Sequence, residues 1–389
     1  MESAIGKAEL DGEIVALRHD IHRHPELAYE ETRTSDLVAA RLAAWGYAVD
    51  RGLGKTGVVG TLTRGAGTRR IGIRADMDAL PIHETTNLPY ASVHPGKMHA
   101  CGHDGHTAML LGAAKALAEA PSFDGTVHLI FQPAEEGQAG ARRMIADGLF
   151  RRFPCDAVFG MHNMPGYPEG KLVFRSGPFL ASADRFQVTI EGVGGHGAVP
   201  HKTVDPVVVA ASTVMALQTI VARNIDPQRP AVVTVGAIKA GEAANVIPGE
   251  AEMRLSVRSL DPEVRMELRR RIAALITAQA ESYGATARVT LHEGYPVLVN
   301  HAKETAFAAE VAKELVGPEN VETDPPPLMG SEDFAYMLEE LPGSYLLIGN
   351  GAGEGSCMVH NPGFDFNDRC LAIGSRYWKH LVERYLAKA

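Results

Sequence analysis

What most limits the folds open to this chain is a series of short apolar runs that stop abruptly at polar, chemically capable residues. Ile71 and Ile73 lead into Ala75-Asp76-Met77-Asp78, Val127-His128-Leu129-Ile130-Phe131 stops at Gln132-Pro133, and Ala157-Val158-Phe159-Gly160 runs into Met161-His162-Asn163. Helix-length segments separate them. Residues 107–120 are rich in Ala and Leu and end at Pro121, while Leu37, Val38, Leu42 and Trp45 have amphipathic helical spacing. Strands that alternate with helices pair through crossovers, which gives a mostly parallel sheet covered on both faces: an α/β domain.

The pattern changes near Ala183. Phe186, Val188 and Ile190 alternate with Gln187, Thr189 and Glu191, as in a strand with one buried face. A helix over 204–221, strands over 231–238 and 251–258, a helix over 262–282 and a strand over 287–292 complete a strand–helix–strand–strand–helix–strand order. That is the split arrangement of a ferredoxin-like α+β domain. The expected organisation is a larger domain over 1–183 and 296–389, interrupted by an insertion over 184–295. A chain of 389 residues exceeds what one core ordinarily supports, which agrees.

Three motifs fall where the apolar strands end. His99-Ala100-Cys101-Gly102-His103-Asp104-Gly105-His106 concentrates ligands for zinc or a similar divalent ion. If the segment is extended, His99, Cys101 and His103 share one side; spacing leaves open which histidines bind. Glu135-Glu136, after Gln132-Pro133-Ala134, sets two carboxylates side by side where they repel unless a cation is near. Their side chains diverge, so one can bind a metal and the other can take a proton from water. His162 is a lone histidine and Asp76 and Asp78 are a turn-like pair, weak signals singly; either aspartate can orient a ligand histidine. His360 lies far along the chain beside a glycine-rich stretch, 349–355. In the insertion, Gly192-Val193-Gly194-Gly195-His196-Gly197-Ala198 can be a flexible turn or can present His196 to a substrate.

Composition narrows the function classes. The net charge of −9 gives no support for nucleic-acid binding. No segment is read as a membrane span or signal peptide. Four cysteines are too few for a disulfide scaffold of this length, so a reducing cytoplasm is expected, with Cys101 a thiolate ligand.

Taken together and in order, the motifs resemble the M20 metallopeptidases, in the subgroup of aminoacylases, hippurate hydrolases and auxin-conjugate amidohydrolases (M20D). The matching segments are Arg74-Ala75-Asp76-Met77-Asp78-Ala79-Leu80-Pro81, Met98 to Thr107, Phe131 to Gly137, Gly194 to Ala198, Asn245-Val246-Ile247-Pro248, Gly330-Ser331-Glu332-Asp333-Phe334 and His360-Asn361-Pro362. The resemblance implies a zinc-peptidase-like catalytic domain and an inserted dimerisation (lid) domain. It implies two divalent ions per subunit (Zn, Mn, Co or Ni) held by Cys101, His103, Glu136, His162 and His360, with Cys101 in a bridging position. Glu135 takes the place of the general base and Asp78 that of the supporting aspartate. His196, Asn245 and Arg258 take the places of substrate-binding residues, His196 serving catalysis from the partner subunit in related dimers. The implied activity is hydrolysis of N-acyl-amino acids, with a dipeptidase or carboxypeptidase of the same two-metal chemistry as the alternative. A homodimer or dimer-based homo-oligomer, with no nucleic-acid or membrane partner, is implied as well.

Overall fold

The computed structural model describes residues 4–351 and 357–388, with side chains from residue 12 onward. Of the glycine-rich stretch 349–355, residues 352–355 lie outside the described part. The chain divides into two compact units, Met1–Gly177 with Val299–Pro326 and Tyr336–Ala389, and Pro178–Leu298 with Pro327–Ala335.

The first unit is built on an eight-stranded sheet. Its order is Ala48–Leu53, Gly57–Arg64, Gly125–Gln132, Arg70–Asp76, Ala157–Met164, Gly343–Gly349, Leu172–Val173 and Val321–Glu322. The four central strands, 125–132, 70–76, 157–164 and 343–349, run parallel, and antiparallel pairings appear towards the edges. Every residue of Gly343–Gly349 is buried, as in strands covered on both faces. The helix His103–Glu119 is also buried almost all round; Ala108, Leu110, Leu111 and Leu117 join one core with Val127, Leu129, Phe159 and Trp378. It starts four residues before the Ala- and Leu-rich stretch that announces it.

The second unit carries a separate four-stranded sheet in the order Ala231–Ala240, Glu250–Ser259, Ser182–Glu191, Thr286–His292, antiparallel throughout. With helices Pro206–Asn224 and Pro262–Ser282 between its strands, this is the split ferredoxin-like topology. Both helices start with proline after an aspartate cap: Asp205 accepts from the Val207 N–H, and Asp261 from those of Glu263 and Val264. Val264, Leu268, Ile272 and Ile276 recur every four residues and are buried in this unit's own core. Asp184 locks the second helix to the sheet, accepting paired hydrogen bonds from Arg265 and Arg269 at 2.8–2.9 Å. Residues 327–335 group with this unit, since the Ala181 N–H donates to the carbonyls of Leu328 (3.1 Å) and Gly330 (2.8 Å). One expectation needs amending: Pro206–Asn224 is long and apolar enough to cross a membrane by length and composition. Val209, Ala210, Leu217 and Ile220 on it instead belong to the buried core of the unit.

Candidate metal centre

The central strands end on one edge of the sheet. Asp76 stands opposite Gln132, and Arg74 opposite Gly160, so the segments that follow each strand emerge together, at the edge where open α/β sheets place ligands. The Cys101 segment reaches this edge through a sharp turn. Gly102 is left-handed (φ 89°), and a Cβ there would sit 2.2 Å from Asn163 Oδ1, so only glycine fits. His103 is then the first residue of its helix, and the extended alternation expected through 99, 101 and 103 stops at Cys101. His99 is buried, and among the described residues neither of its ring nitrogens has a hydrogen-bond partner and it joins none of the ligand groups. His106 shares a helix face with His103, but both its nitrogens are engaged, Nδ1 with Asp76 (2.6 Å) and Nε2 with the Asn163 N–H (3.0 Å). With Asp76 and His103 it forms a further group whose donor atoms lie within 4.8 Å of one another, but these bonds already occupy both of its nitrogens.

The five expected ligands come together. Two groups, Cys101–His103–His162 and Cys101–Glu136–His360, each have their donor atoms within 4.8 Å of one another and share the Cys101 sulfur. Cys101 Sγ lies 3.3 Å from His162 Nε2, and His162 Nδ1 lies 2.6 Å from the Asn163 carbonyl. A carbonyl only accepts, so Nδ1 carries the proton and Nε2 offers its lone pair. Glu136 Oε1 lies 3.2 Å from His360 Nε2 and 4.0 Å from His103 Nε2. His360 is left-handed (φ 69°), and its N–H donates to the carbonyl of Ala100 at 2.7 Å, which ties residue 360 to the neighbour of Cys101. Asp78 accepts the Glu135 N–H (3.0 Å) and the Glu136 N–H (2.8 Å), and its Oδ1 lies 3.3 Å from His103 Nδ1. It thus orients two of the expected ligands and the expected base at once.

The electrostatics call for a cation. Burial opposes charge on His103, yet Asp76, Asp78 and Glu136 outweigh it and hold this imidazole up at about 10. Burial, then the Glu136, Glu135 and Asp76 carboxylates, push the Cys101 thiol well above its ordinary value. Burial and the neighbouring His106 keep His162 neutral, the form that ligates. Nε2 of His103 and Oε1 of Glu136 are buried without a hydrogen bond among the described residues. Buried Cys, His and Glu donors in a surplus of negative charge are what divalent ions neutralise, so these residues fit such ions. Zinc suits the sulfur, and manganese, cobalt or nickel the mixed set.

Two supporting features escaped the sequence reading. Arg18, buried on the helix Ala4–Arg23, donates to Asp104 beside His103 (2.7 Å), to Asp368 (3.0 Å) and to Asp365. It thereby ties the Cys101–His103 segment to the one following His360. The only hint was the crowding of Arg18, His19, His22 and Arg23 at the end of one otherwise ordinary helix, with His24 just beyond it. The second is Glu31, for which nothing in its polar surroundings gave a signal.

In the second unit, His196 and Asn245 are neighbours. The ribbon Gly195–His196 pairs with Val246–Ile247, and the Gly197 N–H donates to the Asn245 carbonyl at 2.8 Å. Both side chains are exposed. Arg258 is half-buried with Nη1 lacking a hydrogen bond, and burial and the adjacent Arg185 lower its affinity for its proton. A buried guanidinium nitrogen without a partner among the described residues suits an anion.

Residues 72–384 match the family model described as peptidase family M20/M25/M40, and the chain belongs to that family. It is 45% identical over 378 residues to a hippurate hydrolase of Campylobacter jejuni, covering 97% of this chain and 98% of that one. It is 39% identical over 386 residues to an N-acetyl-L-cysteine deacetylase of Bacillus subtilis, covering 98% and 90%. Among solved structures, a Bacillus subtilis protein described as a dinuclear metal-binding peptidase of the M20 family superposes with a TM-score of 0.84. The identity there is 34%, with 97% and 99% of the chains covered.

Proposed function

We propose that the protein is a metal-dependent amidohydrolase that cleaves N-acyl-amino acids to a carboxylate and a free amino acid. The observation that carries this reading is the buried Glu135 beside Glu136 and His103, the three donor groups lying within 4.8 Å, with Asp78 holding both glutamate N–H groups. Cys101, His103, Glu136, His162 and His360 would hold two divalent ions. When bound, such ions acidify water and polarise the amide carbonyl. Glu135 takes the proton from the attacking water and returns it to the leaving nitrogen, so that one water adds across one C–N bond. His106 and Asp76 keep the pocket wall rigid. His196 and Asn245 serve the substrate's carbonyl, His196 as an oxyanion donor, and Arg258 its carboxylate.

The hippurate hydrolase and the deacetylase both act on N-acyl-amino acids by name, which supports this substrate class over dipeptides. The second unit leaves Val207, Val208 and Met215 exposed on one helix and Val232 and Ile238 on an edge strand, which suits pairing with a second copy as a homodimer. All four cysteines are free, as a cytoplasmic enzyme with a thiolate ligand requires. The test is Glu135→Gln in metal-reconstituted protein. Turnover of hippurate and N-acetyl-amino acids should fall about 10²–10⁴-fold while bound metal is unchanged, with dipeptides cleaved poorly by the wild type. Full turnover by the variant overturns the assignment of the base.

A further inference from the structure

The turn that carries Glu135 and Glu136 is held in an unusual way. Its three successive N–H groups, of Ala134, Glu135 and Glu136, each donate to a buried carboxylate oxygen. Glu31 Oε1 takes the first at 2.8 Å, and the two oxygens of Asp78 take the others at 3.0 and 2.8 Å. Successive N–H groups pointing one way form an anion-binding concavity, and here the chain fills it with two of its own carboxylates. The turn needs such restraint, because Ala134 is left-handed (φ 55°, ψ 42°), as is Ala139 (φ 55°), and neither is glycine.

Glu31 stands at the N-cap of the helix Thr32–Ala44, yet its side chain makes no capping bond there. Glu26 caps instead, accepting the N–H groups of Arg33 (2.9 Å) and Thr34 (2.8 Å). That leaves the Glu31 carboxylate to reach across to Ala134, while its second oxygen accepts the Thr56 hydroxyl at 2.6 Å. The residue is fully buried, and burial, with Asp78 adding to it, pushes its carboxyl up to about 7. So expensive a group for mere packing, where an apolar residue would fit the core, signals a specific task. Tyr29 donates to the Gln138 carbonyl at 3.0 Å, so the same short loop grips the turn at its other end.

We infer that Glu31 is a positioning residue for the hydrolytic step, fixing through the Ala134 N–H the direction in which the Glu135 carboxylate points. This rests on the reading of Glu135 as the base. The geometry makes the hydrogen bond, not the charge, the operative feature. Glutamine keeps an oxygen for Ala134 and offers an amide to Thr56, whereas aspartate is one methylene too short to span both.

The experiment compares Glu31→Gln, Glu31→Asp and Glu31→Ala with Glu135→Gln in the full chain reconstituted with manganese. It reads kcat and KM on hippurate, and metal affinity by competition with a chromogenic chelator. Glu31→Gln should stay within about threefold of wild type. Glu31→Ala and Glu31→Asp should lose about 10- to 100-fold in kcat, with KM within threefold and metal affinity unchanged. If Glu31→Ala does not fold, Glu31→Asp decides the matter. Wild-type kcat in a folded Glu31→Asp or Glu31→Ala protein overturns the inference, as does a tenfold loss in Glu31→Gln, which would make charge the cause. An inactive Glu135→Gln beside a fully active Glu31→Ala refutes this inference alone; a fully active Glu135→Gln refutes the base assignment beneath it.

Discussion

Replacing Asp78 by asparagine changes one atom of the carboxylate for an amide and should damage both stability and metal binding. In the structure the two oxygens each accept one backbone N–H, from Glu135 and Glu136, and both partners are buried or nearly so. Asparagine keeps one oxygen, and its amide then faces the other N–H, donor against donor. One charge-assisted bond becomes neutral and another is lost with its donor left unpaired, about 1–3 kcal/mol for the orphan and about 1 kcal/mol for the weakened bond. The sum is about 2–4 kcal/mol. His103 Nδ1, 3.3 Å from Oδ1, loses its anionic orienter as well, and removing such outer partners typically costs about 10–100-fold in metal affinity or activity. The assay pairs urea unfolding of the metal-free protein with chelator-competition titration and kcat/KM on hippurate. An Asp78→Asn protein whose unfolding free energy stays within about 0.5 kcal/mol of wild type, with metal affinity and kcat/KM within twofold, would refute the argument that this carboxylate organises the site.

Gly140 closes the same turn, its N–H donating to the Ala134 carbonyl at 3.0 Å, and a Cβ there would lie 1.7 Å from the Pro133 carbonyl oxygen. Gly140→Ala should therefore destabilise by about 1–3 kcal/mol and lower kcat by displacing Glu135, as thermal melting and hippurate kinetics would reveal; an unchanged melt would count against the close contact. In the second unit, burial works to raise Asp184, but Arg265 and Arg269 prevail and hold it down at about 2. A depressed carboxylate stabilises above its unfolded value of about 3.9, and that contribution disappears as pH falls towards 2. With the two arginine side chains 12–13% exposed and the aspartate 1%, a discounted contribution of about 1–2 kcal/mol is expected. Asp184→Asn should show that deficit at pH 7 and close the gap to wild type between about pH 4 and pH 2, in denaturant titrations followed by circular dichroism.

Much of the centre was legible because strand ends announce themselves. Apolar runs that stop at Asp76, Gln132 and His162 identify the chemical edge of a parallel sheet before any coordinate is known, and an adjacent glutamate pair beside Cys and His narrows the chemistry to cations and water. The alternation in Phe186, Val188 and Ile190 likewise separates an antiparallel insertion from the parallel sheet, since burial on one face leaves a period of two and burial on both faces leaves none.

What the order of residues determined is local: which segments are strands or helices, and which side chains have ligating or basic chemistry. Three-dimensional packing alone decided among the histidines. Gly102 turns the chain left-handed, so His103 enters a helix facing the ligand group, His99 is buried outside it, and His106 is consumed by Asp76 and Asn163. Packing also recruited Arg18 and Glu31, whose partners stand 86 and 103 residues away. The reason is physical: a hydrogen bond or a shared ligand position depends on distances across the fold, and no periodicity along a chain encodes the approach of residues so far apart.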